Sequence, residues 1–449
     1  MLASPMPVSV LKKDPPRMEK VTPTQGLDFR PFKAWRYHPD RVSLSQVLAP
    51  PYDVISPKEQ EALYSRSPYN VVRLILGKES DFYHQARERW QAWSREKILV
   101  QDPTPAFYLY EQVFRHPWDS RLLKRLAVVG TLKLEEPGSV LRHEATFEAP
   151  RKDRLQLLER TQTNLSLIFG LYQDSKKRLA ALFSKIQTGP LLFQAEDDQG
   201  LNHHAWAIQK EEDQKLIHEA LFRQKILIAD GHHRYETALE YRRQMREKFP
   251  VSGEAPFDFV MMAIVAFEDE GLLVLPTHRI LRSLGFHSHS SFLEKLQGAF
   301  DLFSYPEKQL FSELSQRPDS EKVFGGFFGE AGNFLLRLKN LEAIRPLLPQ
   351  DKPAIWYETE ANLLNAFVLG RLAGLSEEAS REGIGYTRSW EEAAESVRQG
   401  KAQAAFLMRA PKIQKIYEFA ETGERMPQKT TYFYPKLASG LFFYHHDTA

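Results

Sequence analysis

Ile226-Leu227-Ile228-Ala229-Asp230-Gly231-His232-His233-Arg234-Tyr235-Glu236 is the stretch from which the architecture can be read. Lys225 to Ala229 is apolar but too short for a helix, so it predicts a buried strand. The strand runs straight into Asp-Gly, and the spacing beyond predicts a helix over Tyr235 to Lys248. A strand entering a helix through glycine lets backbone approach a ligand closely. The unpaired amides and positive dipole end of the helix favour an anion there. His232, His233 and Arg234 add donors suited to phosphate oxygens, the arginine as a two-pronged fork. Asp230 can orient a histidine or hold a divalent cation. The plainer alternative is that Asp230 caps the helix and the histidines satisfy backbone carbonyls.

Outward from this turn the elements mix irregularly, which predicts an α+β (mixed) fold. Upstream, Phe29 to Tyr37 reads as extended, Pro50-Pro51-Tyr52-Asp53-Val54-Ile55-Ser56 as a rigid loop, and Asn70 to Leu76 as a strand. Phe82 to Leu99 and Arg151 to Thr161 read as helices, the second with Leu155 and Leu158 inward. Phe107 to Phe114 and Leu126 to Leu134 read as paired strands, and Leu167 to Tyr172 as another. Downstream come strands at Phe259 to Phe267 and Leu272 to Leu275, then Pro276-Thr277-His278-Arg279. Near the end, a helix is expected over Trp390 to Arg398, a strand at Ala404 to Met408 and a helix over Ile413 to Glu421. Met426 to Lys436 reads as a polar and aromatic loop.

The chain has 449 residues, 42% apolar and 26% charged, enough for two or three ordinary globular domains. Sixty basic residues against 58 acidic ones leave a formal charge of +2, which argues against a protein that coats nucleic acid by charge. Cysteine is absent, so thiolate nucleophiles, thiolate zinc sites and disulfides are excluded. No apolar run reaches the ~18 residues of a membrane span. A cytoplasmic location is expected. Residues 1–27, rich in proline and lysine, read as a flexible leader, 28–285 as one domain and 286–449 as a C-terminal α/β domain whose tail loop returns to the first.

Two further groups could carry chemistry. His143-Glu144 offers a carboxylate able to act as a general base toward an alcohol, an effect worth roughly 10²–10⁴-fold. Lys429-Thr430-Thr431, with Lys436 among Tyr432, Phe433 and Tyr434, suits phosphate or carboxylate groups. Viewed alone, each also fits an ordinary loop. GxxxxGK[ST], GxGxxG and GxSxG patterns are missing, which disfavours common NTPases, Rossmann dehydrogenases and α/β-hydrolases. A histidine metallohydrolase using His143, His232, His233 and His278 is a further reading.

Beyond these single motifs, the span Phe29 to Leu441 resembles a widespread prokaryotic family of unknown function. The signatures are RPF at Arg30 to Phe32, APPYDVIS at Ala49 to Ser56, SPYNVVRL at Ser67 to Leu74, TNLS at Thr163 to Ser166, ADGHHRYETA at Ala229 to Ala238, PTHR at Pro276 to Arg279 and GERMPQKTTYFYPK at Gly423 to Lys436. Three motifs in the same order also resemble the archaeal free serine kinase family: the His143-Glu144 pair, the Asp230 to Arg234 turn, and Arg409-Ala410-Pro411 followed by Lys429-Thr430-Thr431. Gln428 stands where proline would directly precede the lysine, and the RPF and PPYDVIS blocks have no counterpart.

That second resemblance implies a ParB/sulfiredoxin-like core with large additional N- and C-terminal elements. It implies a kinase moving phosphate from ADP or ATP, with Mg²⁺, to the hydroxyl of a small metabolite, L-serine first. Glu144 and Asp230 would be catalytic, with Asp230 also at the metal. Gly231, His232, His233, Arg234 and His143 would hold nucleotide phosphates, and Lys429, Thr430 and Thr431 the substrate. The competing reading is a ParB-like nucleotide switch without phosphotransfer. No membrane or nucleic-acid partner is expected.

Overall fold

The computed structural model describes residues 26–134, 138–146, 148–282, 288–376 and 383–446. Its first sheet comprises β1 (Phe29–Arg30), β2 (Phe107–Arg115), β3 (Leu122–Lys133), β4 (Val140–Leu141), β5 (Ile168–Tyr172), β6 (Phe193–Glu196), β7 (Asn202–Ile208), β8 (Ile226–Asp230) and β9 (Phe259–Ala266). The order is β4-β8-β5-β9-β3-β2-β7-β6, with β1 also on β3. Parallel β4–β8 and β5–β9 pairs sit among antiparallel neighbours, so the sheet is mixed.

Both faces of this sheet are buried, which explains the continuous apolar runs of its strands. Ile226, Ile228, Met262 and Ile264 point to one side, against Tyr235 and Ala238 of helix His232–Lys248. Leu227, Ala229, Met261 and Ala263 point to the other, into a core shared with a second sheet. That sheet contains β10 (His278–Leu281), β11 (Phe300–Ser304), β12 (Val323–Phe327), β13 (Asn333–Leu338), β14 (Ile384–Thr387) and β15 (Ala404–Leu407), in the antiparallel order β11-β13-β12-β15-β10-β14. The fold is mixed α and β, as expected. Among the described residues no helix is long and apolar enough to cross a membrane.

Several local expectations are corrected. Asn70 to Leu76 contains a helical turn, Val72–Ile75, and not a strand. The Asn70 side chain bonds its own backbone neighbourhood, accepting from Val72 N at 3.0 Å, and Val71, Val72, Leu74 and Ile75 are all buried, which erases any periodicity. In helix Glu148–Thr161 the inward residues are Leu157 and Leu158, with Leu155 only partly covered. The tail loop holds a strand, Tyr432–Tyr434, antiparallel to Leu273–Leu275. Of the expected leader, residues 1–25 lie outside the described residues, and Leu27 is buried, its N–H donating to Phe222 O at 2.7 Å. The expected boundary at 285 also lies outside them; β10, just before it, is a central strand of the second sheet.

Candidate active site

The quoted turn forms as its sequence predicts, with the helix starting three residues earlier, at His232. Gly231 has φ 95°, a left-handed conformation that strains residues with a Cβ. A register shift between Ile228 and Asp230 bulges the end of β8, the kind of irregularity that re-aims a side chain at a sheet rim. Asp230 is held on both oxygens: Lys436 Nζ meets Oδ1, and Arg234 Nη2 donates to Oδ2 at 2.7 Å. Burial works against its charge, but Lys436 and Arg234 outweigh burial and hold the carboxyl below its usual pKa. Burial likewise opposes the Lys436 charge, and Asp230 and Asp53 more than restore it. Arg234 also donates to Leu167 O, so it braces the turn against β5.

Two segments far apart in sequence close over this turn. Glu144 bridges in parallel fashion to Met426, with Met426 N donating to His143 O at 2.7 Å. Thr431 Oγ1 lies 3.0 Å from His143 Nε2, and the Lys429 amide, at φ 56°, donates to Glu144 Oε1 at 3.4 Å. Met426 to Lys436 is therefore a strap tying His143-Glu144 to Asp230. One helical turn beyond Gly231, Glu236 fixes the same segment from below: it meets Arg142 at 3.3 Å, Arg151 at 3.4 Å and the Thr146 hydroxyl.

Glu144 differs from Asp230 electrically. Burial raises its pKa, and the opposing pull of Lys429 and Lys436 does not cancel that rise; the Asp230 charge adds to it. The two carboxyls thus sense each other. A carboxyl shifted upward is a better proton acceptor near neutrality than a free one.

The histidines are not a cationic clamp. His143 is fully buried and His232 nearly so, their rings edge to face at 4.6 Å. Burial lowers the His143 pKa to about 3 and the His232 pKa well below its usual value. Burial thus favours the neutral form of both, and among the described residues the buried His232 Nε2 has no hydrogen-bond partner. His233 is partly open; burial lowers its pKa, while Glu236 and Asp53 oppose that.

Of the three strap residues expected at the substrate, Lys429 and Thr431 face the site, whereas the Thr430 hydroxyl donates to Pro427 O at 2.6 Å. Asp53 went unassigned in the sequence. It sits on the 3₁₀ turn Tyr52–Val54, 4.0 Å from Lys429 Nζ, and its charge bears on Lys436, His233 and Tyr432. An acid on a proline-stiffened loop was the signal available for it. Arg409 is engaged elsewhere, by Glu360 and the carbonyls of Arg317, Pro318 and Glu321.

For a phosphate ligand the fit is good: a left-handed glycine, the start of a 17-residue helix, Lys429 and Lys436 lie together. For a bare cation it is poor. Asp230 is already occupied by two cations, and no group of three or more His, Asp or Glu suited to a metal occurs among the described residues. His278 lies on β10, its Nδ1 accepting from Met408 N at 3.1 Å.

Among curated proteins, none matches this chain in sequence. Solved structures that resemble it include a conserved hypothetical protein from Pyrococcus furiosus, at 14% identity over 70% of this chain and 93% of that one, with a TM-score of 0.34. A free serine kinase in complex with AMP matches at 14% over 70% and 90%, TM-score 0.34. SbnI with a C-terminal truncation, from Staphylococcus aureus, matches at 9% over 70% and 86%, TM-score 0.34. At these TM-scores the likenesses carry no argument about chemistry. The model of DUF1015, a family of proteins of unknown function, matches residues 29–360, and the chain belongs to that family.

Proposed function

We propose that this protein is a small-molecule kinase that transfers a phosphoryl group from ADP or ATP to the hydroxyl of a metabolite, with free L-serine the first candidate. The observation that carries this is the meeting of Glu144, Asp230 and Lys429 around Gly231, with two carboxyls pushed apart in pKa. A pair so separated divides the labour of base and electrostatic anchor.

The nucleotide supplies the transferable phosphoryl group. The first-turn amides after Gly231, with Lys436 and Lys429, bind its oxygens and balance the charge that develops there. Glu144 orients the acceptor hydroxyl and takes its proton as the oxygen–phosphorus bond forms and the bond to the departing nucleotide breaks. Asp230 keeps Lys436 and Arg234 in place. Neutral His143 and His232 wall the site without adding charge. Mg²⁺ belongs to this reading as a companion of the phosphates, because the described residues offer no complete cage of their own.

Incubation of the purified protein with ADP or ATP, Mg²⁺ and L-serine is expected to yield O-phosphoserine, detected by mass. Glu144→Gln is expected to abolish the product while nucleotide binding persists. No transfer to serine or any other small alcohol with either nucleotide would overturn the reading. If nucleotide binding drives a conformational change that Glu144→Gln leaves intact, without turnover in either protein, the nucleotide-switch reading replaces it.

A further inference from the structure

Pro276 to Arg279 takes no part in the chemistry above, yet it ends in a charge that the fold leaves incomplete. Arg279 is 1% exposed. It lies on β10 opposite Tyr386 and Phe406, on the sheet face that carries Leu281 into the shared core. Nη1 donates to Thr277 O, and the guanidinium carbon lies 5.6 Å from the Tyr386 ring centre. Among the described residues Nε and Nη2 have no hydrogen-bond partner, nor has the nearby buried hydroxyl of Thr277. Burying an arginine with two donors unfilled is costly, and an oxyanion accepting from both would remove that cost.

Arg279 lines a cavity of about 320 Å³ together with Lys322, Arg409, Lys412 and Lys415. Three of those cations are already matched: Arg409 with Glu360, Lys412 with Asp319, and Lys415 with Glu358 at 3.8 Å. The acids on the cavity wall are used up in those pairs. Lys322 has no ion pair among the described residues, and burial, reinforced by Lys415, lowers its pKa. Arg279 and Lys322 thus line one cavity with no ion pair of their own among the described residues, the Glu360 and Glu358 charges reaching Lys322 only at longer range. Thr430 lines this cavity while the next hydroxyl, on Thr431, meets His143. The strap therefore stands between the cavity and the Gly231 turn, and the two are separate places.

We propose that this cavity is a second ligand site, taking the oxyanion end (phosphate or carboxylate) of a small metabolite between Arg279 and Lys322. It stands whether or not the protein is a kinase, because neither residue touches the turn.

The test titrates the full chain calorimetrically with inorganic phosphate and, separately, with malonate, each against chloride at matched ionic strength. Crystals soaked in selenate locate the anion by its anomalous signal. A selenate peak beside Arg279 is expected, and Lys322→Met should remove it and weaken whichever of phosphate or malonate binds there at least tenfold. Nucleotide affinity at the Gly231 turn should not change. Phosphate heat that survives Lys322→Met belongs to the turn and not to the cavity. Arg279→Met should cost more binding, but so buried a change can prevent folding, and Lys322→Met keeps the decision independent of it. No selenate peak in the cavity, with both titrations indifferent to Lys322, overturns the proposal.

Discussion

The turn at Asp230 and the segment at Glu144 lie on either side of one site, and each presents a partly buried carboxyl, but the fold treats them oppositely. Asp230 receives two cations and is held ionised. Glu144 receives one long amide contact and is pushed toward its neutral form. A charge already paired in a low-dielectric setting is anchored and resists protonation, whereas an under-paired one takes up a proton more readily. The first suits a scaffold for cations, the second a proton acceptor.

The largest test of that contrast removes the anchor. Asp230→Asn leaves the largely buried Lys436 without its hydrogen-bonded partner and with only the Asp53 charge nearby, and breaking a buried pair from one side costs up to about 3–5 kcal/mol. Urea denaturation should show that loss. Adding Lys436→Met should return part of it; a single variant as stable as the parent would break the comparison. Glu144→Gln should behave differently, with folding stability changed little near neutral pH and turnover reduced roughly 10²–10⁴-fold, measured as phosphoserine formed per minute.

Gly231→Ala tests the turn itself. Left-handed backbone costs a residue with a Cβ about 1–2 kcal/mol, and the new methyl would sit 3.1 Å from Arg234 Nε. Thermal denaturation should report the strain, and the loss should exceed that of Gly253→Ala, where φ is 94° and nothing crowds the added atom.

The smallest effect is in pH. Because the Asp230 pKa is lowered in the fold, its stabilisation is present above the unfolded value and fades as pH falls through the folded one. Glu144, raised in the fold, contributes most below its unfolded value and loses that contribution as pH rises through its folded one. As a base it must be ionised, so kcat/KM should climb with pH on a limb lying above the ordinary Glu range. That limb should disappear in Glu144→Gln. A limb unmoved by the substitution would assign the titration to another group.

Much of the turn was readable beforehand because its causes are local. A short apolar run, a glycine free to take positive φ and a polar helix start lie within eleven residues, and β8, Gly231 and helix His232–Lys248 appear there. The Asn70 to Leu76 run failed for an equally local reason: when every apolar residue is buried, a helical turn and a strand present the same pattern. His232 and His233 were read as phosphate donors from their place at the turn; depth, which the sequence does not state, lowers the pKa of His143 and His232, so donation from either would come from the neutral ring.

By itself the sequence determined the mixed α and β class, the strand–glycine–helix turn and the identity of the residues able to do chemistry there, since these follow from short-range backbone preferences and periodicity. Only the tertiary structure decided that Lys436 would meet Asp230 across 206 positions, that Asp53 would face Lys429, and that Thr430 would turn away from Thr431. It also decided that the Asp230 pKa is lowered and the Glu144 pKa raised. Those outcomes depend on how long loops close and on how much water each group loses, and neither is written in the neighbours of any one residue.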